Sequence, residues 1–305
     1  MDLYLGVDAG GTRTRAAVLD EAGHLVGSAE GGAGNPISHP WDAAVDALAG
    51  TVVAALGPVA AADVVGAVIG LAGFGCASDG GMAAAVADRA GLRRPPLLVG
   101  DTVVAYAAGT GEPDGCVLVA GTGTTAARIV GWNQTESVDG HGWLLGDTGS
   151  AFWLGRAAVQ AALGAAEGRR VPTALLATVT AALLPDGLPA GVDIREALIL
   201  AAHADPPIAL ARLAPLVAAA ATAGDAVAGR IVAAAVTGLV GSIAALRPDS
   251  ERTPLVVAGA VASGDGPVGV TLREELDRRW PECVLRAGDG ATAAARLARE
   301  LVDTA

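Results

Sequence analysis

The sequence predicts an α/β protein built of two domains with a cleft between them. Its 305 residues are enough for two domains. A pattern of strand, glycine turn and two further strands, followed by helices and more strands, begins at Leu3 and begins again at Gly115. We place the first domain at 1–109 and the second at 110–289, and we expect the last helix, within 290–305, to return to the first domain.

The first half opens with three predicted antiparallel strands. Leu3–Asp8 is a short apolar run that ends in an acid and then glycines, which is typical of a buried strand followed by a tight turn. Asp20-Glu21-Ala22-Gly23 has the residues of a hairpin turn. The elements predicted in this half are strands at Leu3–Asp8, Thr14–Leu19, His24–Ala29, Val64–Leu71 and Pro96–Gly100, and helices at Trp41–Leu56, Gly80–Ala90 and Thr102–Ala108.

The second half repeats this order. Gly115–Ala120 is an apolar strand that ends in a glycine–threonine turn, and two further strands follow it. Helices are predicted from the glycine-rich stretch Gly140–Gly149 to about Ala245. The remaining predicted elements are strands at Thr125–Val130, Trp132–Val138, Pro254–Ala258 and Cys283–Arg286, and helices at Leu272–Trp280 and Ala291–Val302.

Charge and composition exclude several classes of protein. The net charge is −12 and no cluster of Arg forms a basic face, so we expect no nucleic-acid partner. All 20 basic residues are Arg, so no Lys can clamp a phosphate and a Walker-type P-loop is excluded. Apolar residues make up 52% of the chain but aromatic residues only 3%, which predicts a core of small side chains on regular elements.

The cysteines and apolar segments indicate a reducing, aqueous compartment. Cys76, Cys116 and Cys283 are far apart and lack CxxC spacing, so we expect core residues and no disulfide or zinc site. The first residues lack the basic and apolar regions of a signal peptide. The apolar stretch Pro215–Leu246 is interrupted by charged residues, which favours buried helices over a membrane span. We therefore expect a cytoplasmic protein with no membrane partner.

The turn between the first two strands is predicted to bind phosphate. Its two glycines can adopt positive φ and bring backbone N–H groups close to an anion, and its threonines add hydroxyl donors. Asp8, at the strand end, would hold a hydrated Mg²⁺, which prefers carboxylate and water. The alternative is an ordinary hairpin turn. The nucleotide-binding residues predicted in this loop are Gly10, Gly11, Thr12, Arg13 and Thr14.

A second loop has the same setting in the second half of the chain. Because it also joins two strands and combines glycine with threonine, the two loops together are expected to grip one polyphosphate. A third glycine turn, Gly259–Ser263, follows a later strand and is expected to close on the nucleoside. No strand–GxGxxG–helix arrangement is present, so a dinucleotide-binding fold is less favoured. The nucleotide-binding residues predicted here are Gly121, Thr122, Gly123, Thr124, Gly259 and Ser263.

These three turns resemble the phosphate-1, phosphate-2 and adenosine motifs of the actin-like ATPase and sugar-kinase superfamily. Within it, the chain resembles the N-acetylglucosamine kinase group, which includes the so-called BadF/BadG ATPases, over nearly its whole length. Gly140–Trp153 is the most specific segment and is similar to the hexosamine-binding segment of that group, and Asp139–Trp143 with Gly146-Asp147 resembles the actinobacterial glucosamine kinases. The resemblance implies two actin-like (ribonuclease H-like) domains, with ATP and Mg²⁺ as cofactors.

The resemblance also assigns roles to single residues. It places the catalytic base at Asp101, where a predicted strand ends and a helix begins; the local alternative is a helix N-cap. Asn35 and Asp147 are expected to bind the sugar; the alternatives are a turn residue before proline for Asn35 and a helix N-cap for Asp147. Gly224 is expected near the adenine, and its alternative is a helix C-cap. Gly73, in the loop after a strand, is either near the sugar or a tight strand exit. The predicted sugar-binding residues are Asn35, Gly73, Asp101, Asp139, Gly140, His141, Gly142 and Asp147.

The acids in the sugar segment favour one substrate. A free amino sugar carries an ammonium group, which requires a carboxylate when buried, and Asp139 beside His141 supplies one unless it is an exposed turn residue. This predicts phosphorylation of glucosamine at O6 by ATP. The alternatives are an N-acetylglucosamine or broad hexose kinase, an ATPase that activates a redox partner, and a sugar-sensing regulator. Besides sugar and ATP, we consider a second copy of the chain, in a homodimer, as a partner.

Overall fold

The computed structural model describes residues 2–11, 13–36, 39–72, 81–169 and 171–303. The chain divides into two compact units. Unit 1 comprises Met1–Gly115, Ile129–Thr135 and Leu285–Ala305, and unit 2 comprises Cys116–Arg128 and Glu136–Val284. The domain limits given above stay predictions, and each unit is described by itself below.

Unit 1 is built on a five-stranded mixed sheet with the strand order β3-β2-β1-β4-β5. Strand β1 pairs antiparallel with β2 and parallel with β4, so the first three strands form a meander and β4 is reached by a crossover. The strands are β1 (Leu3–Ala9), β2 (Thr14–Asp20), β3 (Leu25–Gly31), β4 (Val64–Leu71) and β5 (Leu97–Gly100). The helices are α1 (Trp41–Leu56), α2 (Gly81–Ala90), α3 (Asp101–Ala107) and α11 (Gly290–Asp303), with a 3-10 turn at Ala61–Asp63.

The apolar character of β1 follows from its position at the centre of this sheet. Leu5 and Val7 on one side are fully buried, and so are the residues of α1 that pack against the sheet. On the other side α11 packs against β1 so closely that a Cβ atom on Gly6 would lie inside van der Waals contact of the backbone N of Ala295. Glycine at this position therefore sets how close the last helix can come.

Replacing Gly6 with alanine is expected to lower the free energy of unfolding by about 2 to 3 kcal/mol, because the added methyl group must push a helix backbone away. Gly50→Ala is the matched control: Gly50 lies in α1 with open space around its Cβ position, and alanine there is expected to stabilise by up to about 1 kcal/mol. Urea unfolding of both variants measures the difference. Equal stability of the two variants would contradict the packing argument.

Unit 2 contains most of the second five-stranded sheet, whose order is β10-β9-β6-β7-β8. Strand β6 pairs parallel with β9 from Cys116 to Val119. The strands are β6 (Gly115–Ala120), β7 (Thr124–Val130), β8 (Asn133–Asp139), β9 (Leu255–Ala258) and β10 (Val284–Arg286). The helices are α4 (Gly142–Leu145), α5 (Ala151–Ala166), α6 (Leu175–Leu183), α7 (Ile194–His203), α8 (Ala214–Thr222), α9 (Ala226–Ala244) and α10 (Pro267–Arg279), with a 3-10 helix at Pro207–Leu213.

The two sheets have the same topology. Read from its other edge, the second sheet is β8-β7-β6-β9-β10, which repeats the order β3-β2-β1-β4-β5 strand for strand. Each sheet thus places its first strand at the centre, between a meander and a parallel crossover strand. This confirms the predicted fold class of two actin-like α/β units.

Most predicted elements are confirmed, with shifts at their ends. The helix predicted from Leu272 begins at Pro267, because proline at the first helical turn needs no hydrogen-bonded N–H. The third strand begins at Leu25, because the carbonyl of His24 still closes the preceding turn by accepting from the N–H of Asp20.

Helix α9 is long and apolar enough, by length and composition, to cross a membrane. Asp225 caps its N-terminus by accepting from the N–H groups of Val227 and Ala228. Its buried face, which includes Leu239 and Ile243, belongs to the hydrophobic core of unit 2. A core helix accounts for this apolar composition without a lipid environment.

Candidate active site

Two carboxylates of unit 1 stand at the ends of strands in the same sheet. Asp8 lies near the end of β1, and Asp101 follows directly after β5. The strand between them is β4, where Gly70 pairs with Asp8 on one side and with Val99 on the other. A Cβ atom on Gly70 would lie inside van der Waals contact of Cγ2 of Val104, so glycine at this position lets α3 pack closely against β4. These strands are parallel, so both acids lie at the carboxyl edge of the sheet.

The Asp8 carboxyl group is held in an environment that disfavours its charge. Burial, together with the negative charge of Asp101, raises the pKa of Asp8 to about 6. Arg15 opposes this shift and Asp289 adds to it. A Cβ atom on Gly290 would lie 2.6 Å from Oδ2 of Asp8, so the first residue of α11 packs directly on this carboxylate.

Asp101 is the first residue of α3, where its carboxylate accepts from the backbone N–H of Thr102. Burial nevertheless raises the pKa of Asp101 above its ordinary value. The N-cap residue of α3 is Gly100, so the alternative that Asp101 is the N-cap of this helix is wrong. Thr102 is buried and donates its hydroxyl to Oε1 of Gln134 at 2.5 Å, which fixes the start of the helix.

The first predicted phosphate loop is a tight turn between β1 and β2. The N–H of Gly10 donates to the carbonyl of Arg13 at 2.9 Å, while Gly11 at the tip is exposed. The Arg13 side chain is exposed and lies 3.9 Å from Glu30. Thr14 is fully buried, and its hydroxyl has no hydrogen-bond partner among the described residues. Thr12 lies outside them.

Of the sugar-binding residues predicted in unit 1, Asn35 lies near this loop. A Cβ atom on Gly34 would lie 2.9 Å from the Thr14 hydroxyl, so the Gly34-Asn35 segment reaches the start of β2. Asn35 itself is half-buried. Gly73 lies outside the described residues, so its predicted role in sugar binding stays a prediction.

The second predicted phosphate loop, in unit 2, is joined to the start of α5. The N–H of Gly121 donates to the carbonyl of Gly123 at 2.9 Å, which closes the turn. The carbonyls of Gly121 and Thr122 accept from the first two N–H groups of α5, those of Ala151 and Phe152. The hydroxyl of the buried Thr124 has no hydrogen-bond partner in the described part of the chain, as for Thr14 in unit 1.

Asp139 and Asp147 form a chain of hydrogen bonds that ends on this loop. Oδ1 of Asp139 accepts from the N–H of Asp147 at 2.8 Å, and Oδ2 accepts from the N–H of Thr148 at 3.2 Å. Oδ1 of Asp147 in turn accepts from the N–H of Thr124 at 2.9 Å. Burial, together with the charge of Asp139, raises the pKa of Asp147. The cap of α5 is Ser150, so the helix-cap alternative for Asp147 is wrong.

The rest of the predicted sugar segment is exposed. Gly140 and Gly142 adopt positive φ (75° and 79°), and the N–H of Gly140 donates to the carbonyl of Thr124. His141 lies between them on the surface. Trp143 is 41% exposed and meets Phe152 edge-on at a centroid distance of 5.8 Å, so it is not a core residue.

The third glycine turn packs against the second phosphate loop. The carbonyl of Ala120, the last residue of β6, accepts from the N–H groups of Val261 and Ala262. Gly259 has a φ of 85°, and a Cβ atom there would lie 2.9 Å from the N of Gly121. Ser263 donates its hydroxyl to the carbonyl of Gly259 at 2.8 Å. Both predicted nucleotide elements of unit 2 therefore meet at the carboxyl ends of β6 and β9.

Gly224 ends α8 in the manner of a helix C-cap. Its φ is 87° and its N–H donates to the carbonyl of Ala221. The adjacent Asp225 caps α9 and also accepts from the hydroxyl of Thr173 and the N–H of Ala174, at 2.8 Å and 2.7 Å. The C-cap alternative for Gly224 is thus observed, and contact with adenine stays a prediction.

Sequence reasoning missed two residues beside Asp8. Asp289 accepts from the N–H of Thr292 at 2.7 Å at the start of α11, and Gly290 packs on the Asp8 carboxylate. An acid followed by glycine at the start of an Ala-rich helical segment is a recognisable cap signal. Nothing local to the sequence connects that signal with β1.

The negative charges around Asp8 favour a bound cation. Asp8 and Asp101 are half-buried and the charge of Asp101 disfavours that of Asp8, so a positive ion would stabilise both carboxylates. Within the described residues, no group of three or more His, Cys, Asp and Glu side chains could hold a metal. This donor set fits Mg²⁺, which keeps much of its water and binds through one or two carboxylates.

The solved structures that are similar to this chain include three sugar kinases, named by their descriptions. A protein from Chromobacterium violaceum described as a putative N-acetylglucosamine kinase has 25% identity and a TM-score of 0.75, covering 97% of this chain and 99% of that one. A protein from Porphyromonas gingivalis with the same description has 21% identity and a TM-score of 0.76, covering 98% and 99%. A ROK family glucokinase from Streptomyces griseus, in complex with glucose and AMPPNP, has 21% identity and a TM-score of 0.58, covering 98% and 99%.

The repeated sheets and their glycine turns define the two-domain actin-like ATPase fold. Residues 5–282 match the model of one family with this fold. The chain belongs to the BadF/BadG/BcrA/BcrD ATPase family.

Proposed function

We propose that this protein is an ATP-dependent kinase that transfers a phosphoryl group to a sugar hydroxyl. The observation that carries the proposal is the pair of half-buried acids with raised pKa values, Asp8 and Asp101, at the carboxyl edge of the unit 1 sheet. Membership of an ATPase family supports the use of ATP. The similar structures described as sugar kinases support a sugar as the acceptor.

Asp101 would act as the base. Its burial raises the pKa of the carboxyl group, which makes the carboxylate a stronger acceptor for the proton of the attacking hydroxyl. Its place at the first turn of α3, fixed by the hydrogen bond from Thr102 to Gln134, holds it in one position.

The glycine–threonine loops would bind the phosphates. Thr14 and Thr124 occupy the same position in the two units, and each has a buried hydroxyl without a hydrogen-bond partner among the described residues, which costs about 1 to 3 kcal/mol. Hydroxyl groups of this kind beside a glycine turn support anion binding there. Asp8 would hold Mg²⁺ through water. When bound, that ion neutralises charge on the phosphates during transfer.

Glucosamine, phosphorylated at O6, is the substrate we propose, on the resemblance of the Asp139–Asp147 segment to glucosamine kinases. Both oxygens of Asp139 already accept backbone N–H groups, so the argument from Asp139 to a sugar ammonium loses support. N-acetylglucosamine and glucose are therefore the alternatives, in keeping with the names of the similar structures.

A panel of sugars tests this proposal directly. Purified protein with ATP and Mg²⁺ is expected to release ADP faster with glucosamine than with N-acetylglucosamine, glucose or no sugar. A larger kcat/KM for N-acetylglucosamine or glucose would correct the substrate, and ADP release that no sugar stimulates would overturn the kinase proposal.

An activator of a redox partner is less well supported. An iron–sulfur cluster shared between subunits requires cysteine side chains at the surface. Cys116 and Cys283 are both buried, at 0% and 5% exposure, and burial raises the pKa of the Cys116 thiol. Cys76 lies outside the described residues. We therefore expect the purified protein to be colourless, because a thiolate-bound iron–sulfur cluster would give it visible colour.

A further inference from the structure

We propose that Asp139 and Asp147 are positioning residues that hold the second phosphate loop in the conformation that binds the nucleotide. The inference rests on the proposed function, because that function assigns the loop at Gly121–Thr124 to ATP. It gives both acids a role that differs from the direct contact with sugar that sequence reasoning assigned to them.

The hydrogen bonds run in one direction along this chain of residues. Asp139 accepts from the N–H of Asp147, and Asp147 accepts from the N–H of Thr124, the last residue of the loop. Beside them, the N–H of Gly140 donates to the carbonyl of Thr124 at 2.9 Å. Both backbone groups of Thr124 are thus fixed by the segment that resembles a sugar site.

Close packing supports the same link. A Cβ atom on Gly123 would lie 3.0 Å from Oδ1 and 3.1 Å from Oδ2 of Asp147, so the carboxylate lies against the loop backbone. A Cβ atom on Gly146 would fall inside van der Waals contact of Oδ1 of Asp139. Asp147 is only 6% exposed, which leaves little of it open to a ligand. The geometry therefore indicates support of the backbone as its main task.

The backbone conformation of these acids allows a well-matched substitution. Asp139 and Asp147 have φ values of 63° and 60°, in the left-handed region that asparagine tolerates as well as aspartate. Asn at 139 keeps the shape of the side chain but replaces one acceptor oxygen with an NH₂ donor. One of the two N–H groups, of Asp147 or of Thr148, must then lose its acceptor.

The test is the affinity for Mg·ADP in the absence of sugar, measured by titration calorimetry on the full-length protein. Asp139→Asn is expected to weaken this affinity by about tenfold, the factor that corresponds to one lost hydrogen bond to a charged group. Asp147→Asn, which keeps an acceptor for Thr124 without its charge, is expected to weaken it by a smaller factor. Asp193→Asn is the control: it caps α7 from an exposed position, and asparagine caps equally well.

The outcomes separate this inference from its alternatives. Direct sugar contact alone would raise the KM for sugar and leave the Kd of Mg·ADP unchanged in both variants, which would overturn the inference. A purely structural role would lower the melting temperature without changing the Kd of the folded protein, and would overturn it as well. If Asp139→Asn does not fold, Asp147→Asn decides alone by the same Kd. Wild-type protein that binds no Mg·ADP would overturn the proposed function, and this inference with it.

Discussion

Asp101→Asn is expected to reduce kcat for sugar-dependent ADP release by about 10²- to 10⁴-fold, the usual contribution of a general base. The carboxamide has the same shape and still accepts from the N–H of Thr102, so the start of α3 is preserved. What it lacks is the ability to take a proton from the sugar hydroxyl. The Kd of Mg·ADP is therefore expected to stay within about twofold of wild type, since a base removes no binding energy from the nucleotide.

Asp42→Asn is the matched control for this variant. Asp42 lies in the first turn of α1, as Asp101 does in α3, but it is exposed and pairs with Arg89 at 2.7 Å on the surface. Its loss is expected to change stability by less than about 1 kcal/mol and to leave kcat unchanged. If Asp101→Asn turns over sugar within about threefold of wild type, far from the effect expected of a base, Asp101 is not the base.

The sheets could be predicted because their signals are local. Each central strand is a short apolar run that leads into a glycine turn, and both runs were assigned within one residue of their observed ends. The helix at Trp41–Leu56 was placed correctly at both ends, because its apolar spacing stops at Gly57. Repetition of one order of elements then predicted two units of one topology.

Contacts between distant parts of the chain could not be predicted in this way. The packing of Gly290 on Asp8 joins a helix near the end of the chain to its first strand, and neither sequence segment encodes the other. The acids of the sugar segment show a second limit. Sequence identifies Asp139 as a carboxylate available to a ligand, but in the structure Asp139 and Asp147, both at positive φ, accept from backbone N–H groups. Neither the conformation nor these partners can be read from the local sequence.

The second large effect concerns stability rather than rate. Asp8→Asn is expected to raise the free energy of unfolding by about 3 kcal/mol at pH 7.5. The pKa of Asp8 is raised from 3.8 to about 6, and each unit of that difference corresponds to about 1.4 kcal/mol. In wild type at this pH the Asp8 carboxylate is ionised, and its charge is less stable in the folded chain than in the unfolded chain. An amide in its place carries no charge to desolvate.

The difference in the free energy of unfolding between Asp8→Asn and wild type is expected to grow as the pH rises. Below about pH 3 the Asp8 carboxyl group is protonated in both folded and unfolded chains, and the two proteins differ little. As the pH rises to about 6 the unfolded chain ionises first, so wild type loses stability relative to Asp8→Asn; above that pH the difference is constant. Urea unfolding at pH 5.0 and pH 7.5 measures it, and roughly half of the full difference is expected at the lower pH.

Asp63→Asn removes an exposed acid of unit 1 and is the control for the loss of one negative charge, with an expected change below about 0.5 kcal/mol.

The Asp8 carboxylate that destabilises the fold is expected to support metal binding, so the Mg²⁺ concentration for half-maximal activity should rise by about 10- to 100-fold in Asp8→Asn. Gain of stability with loss of function is the signature of a site whose charges are arranged for a ligand. Reduced stability of Asp8→Asn at pH 7.5 would instead mean that Asp8 stabilises the fold through its contacts with Gly290 and Arg15, and the assignment of Asp8 to a metal would lose its electrostatic basis.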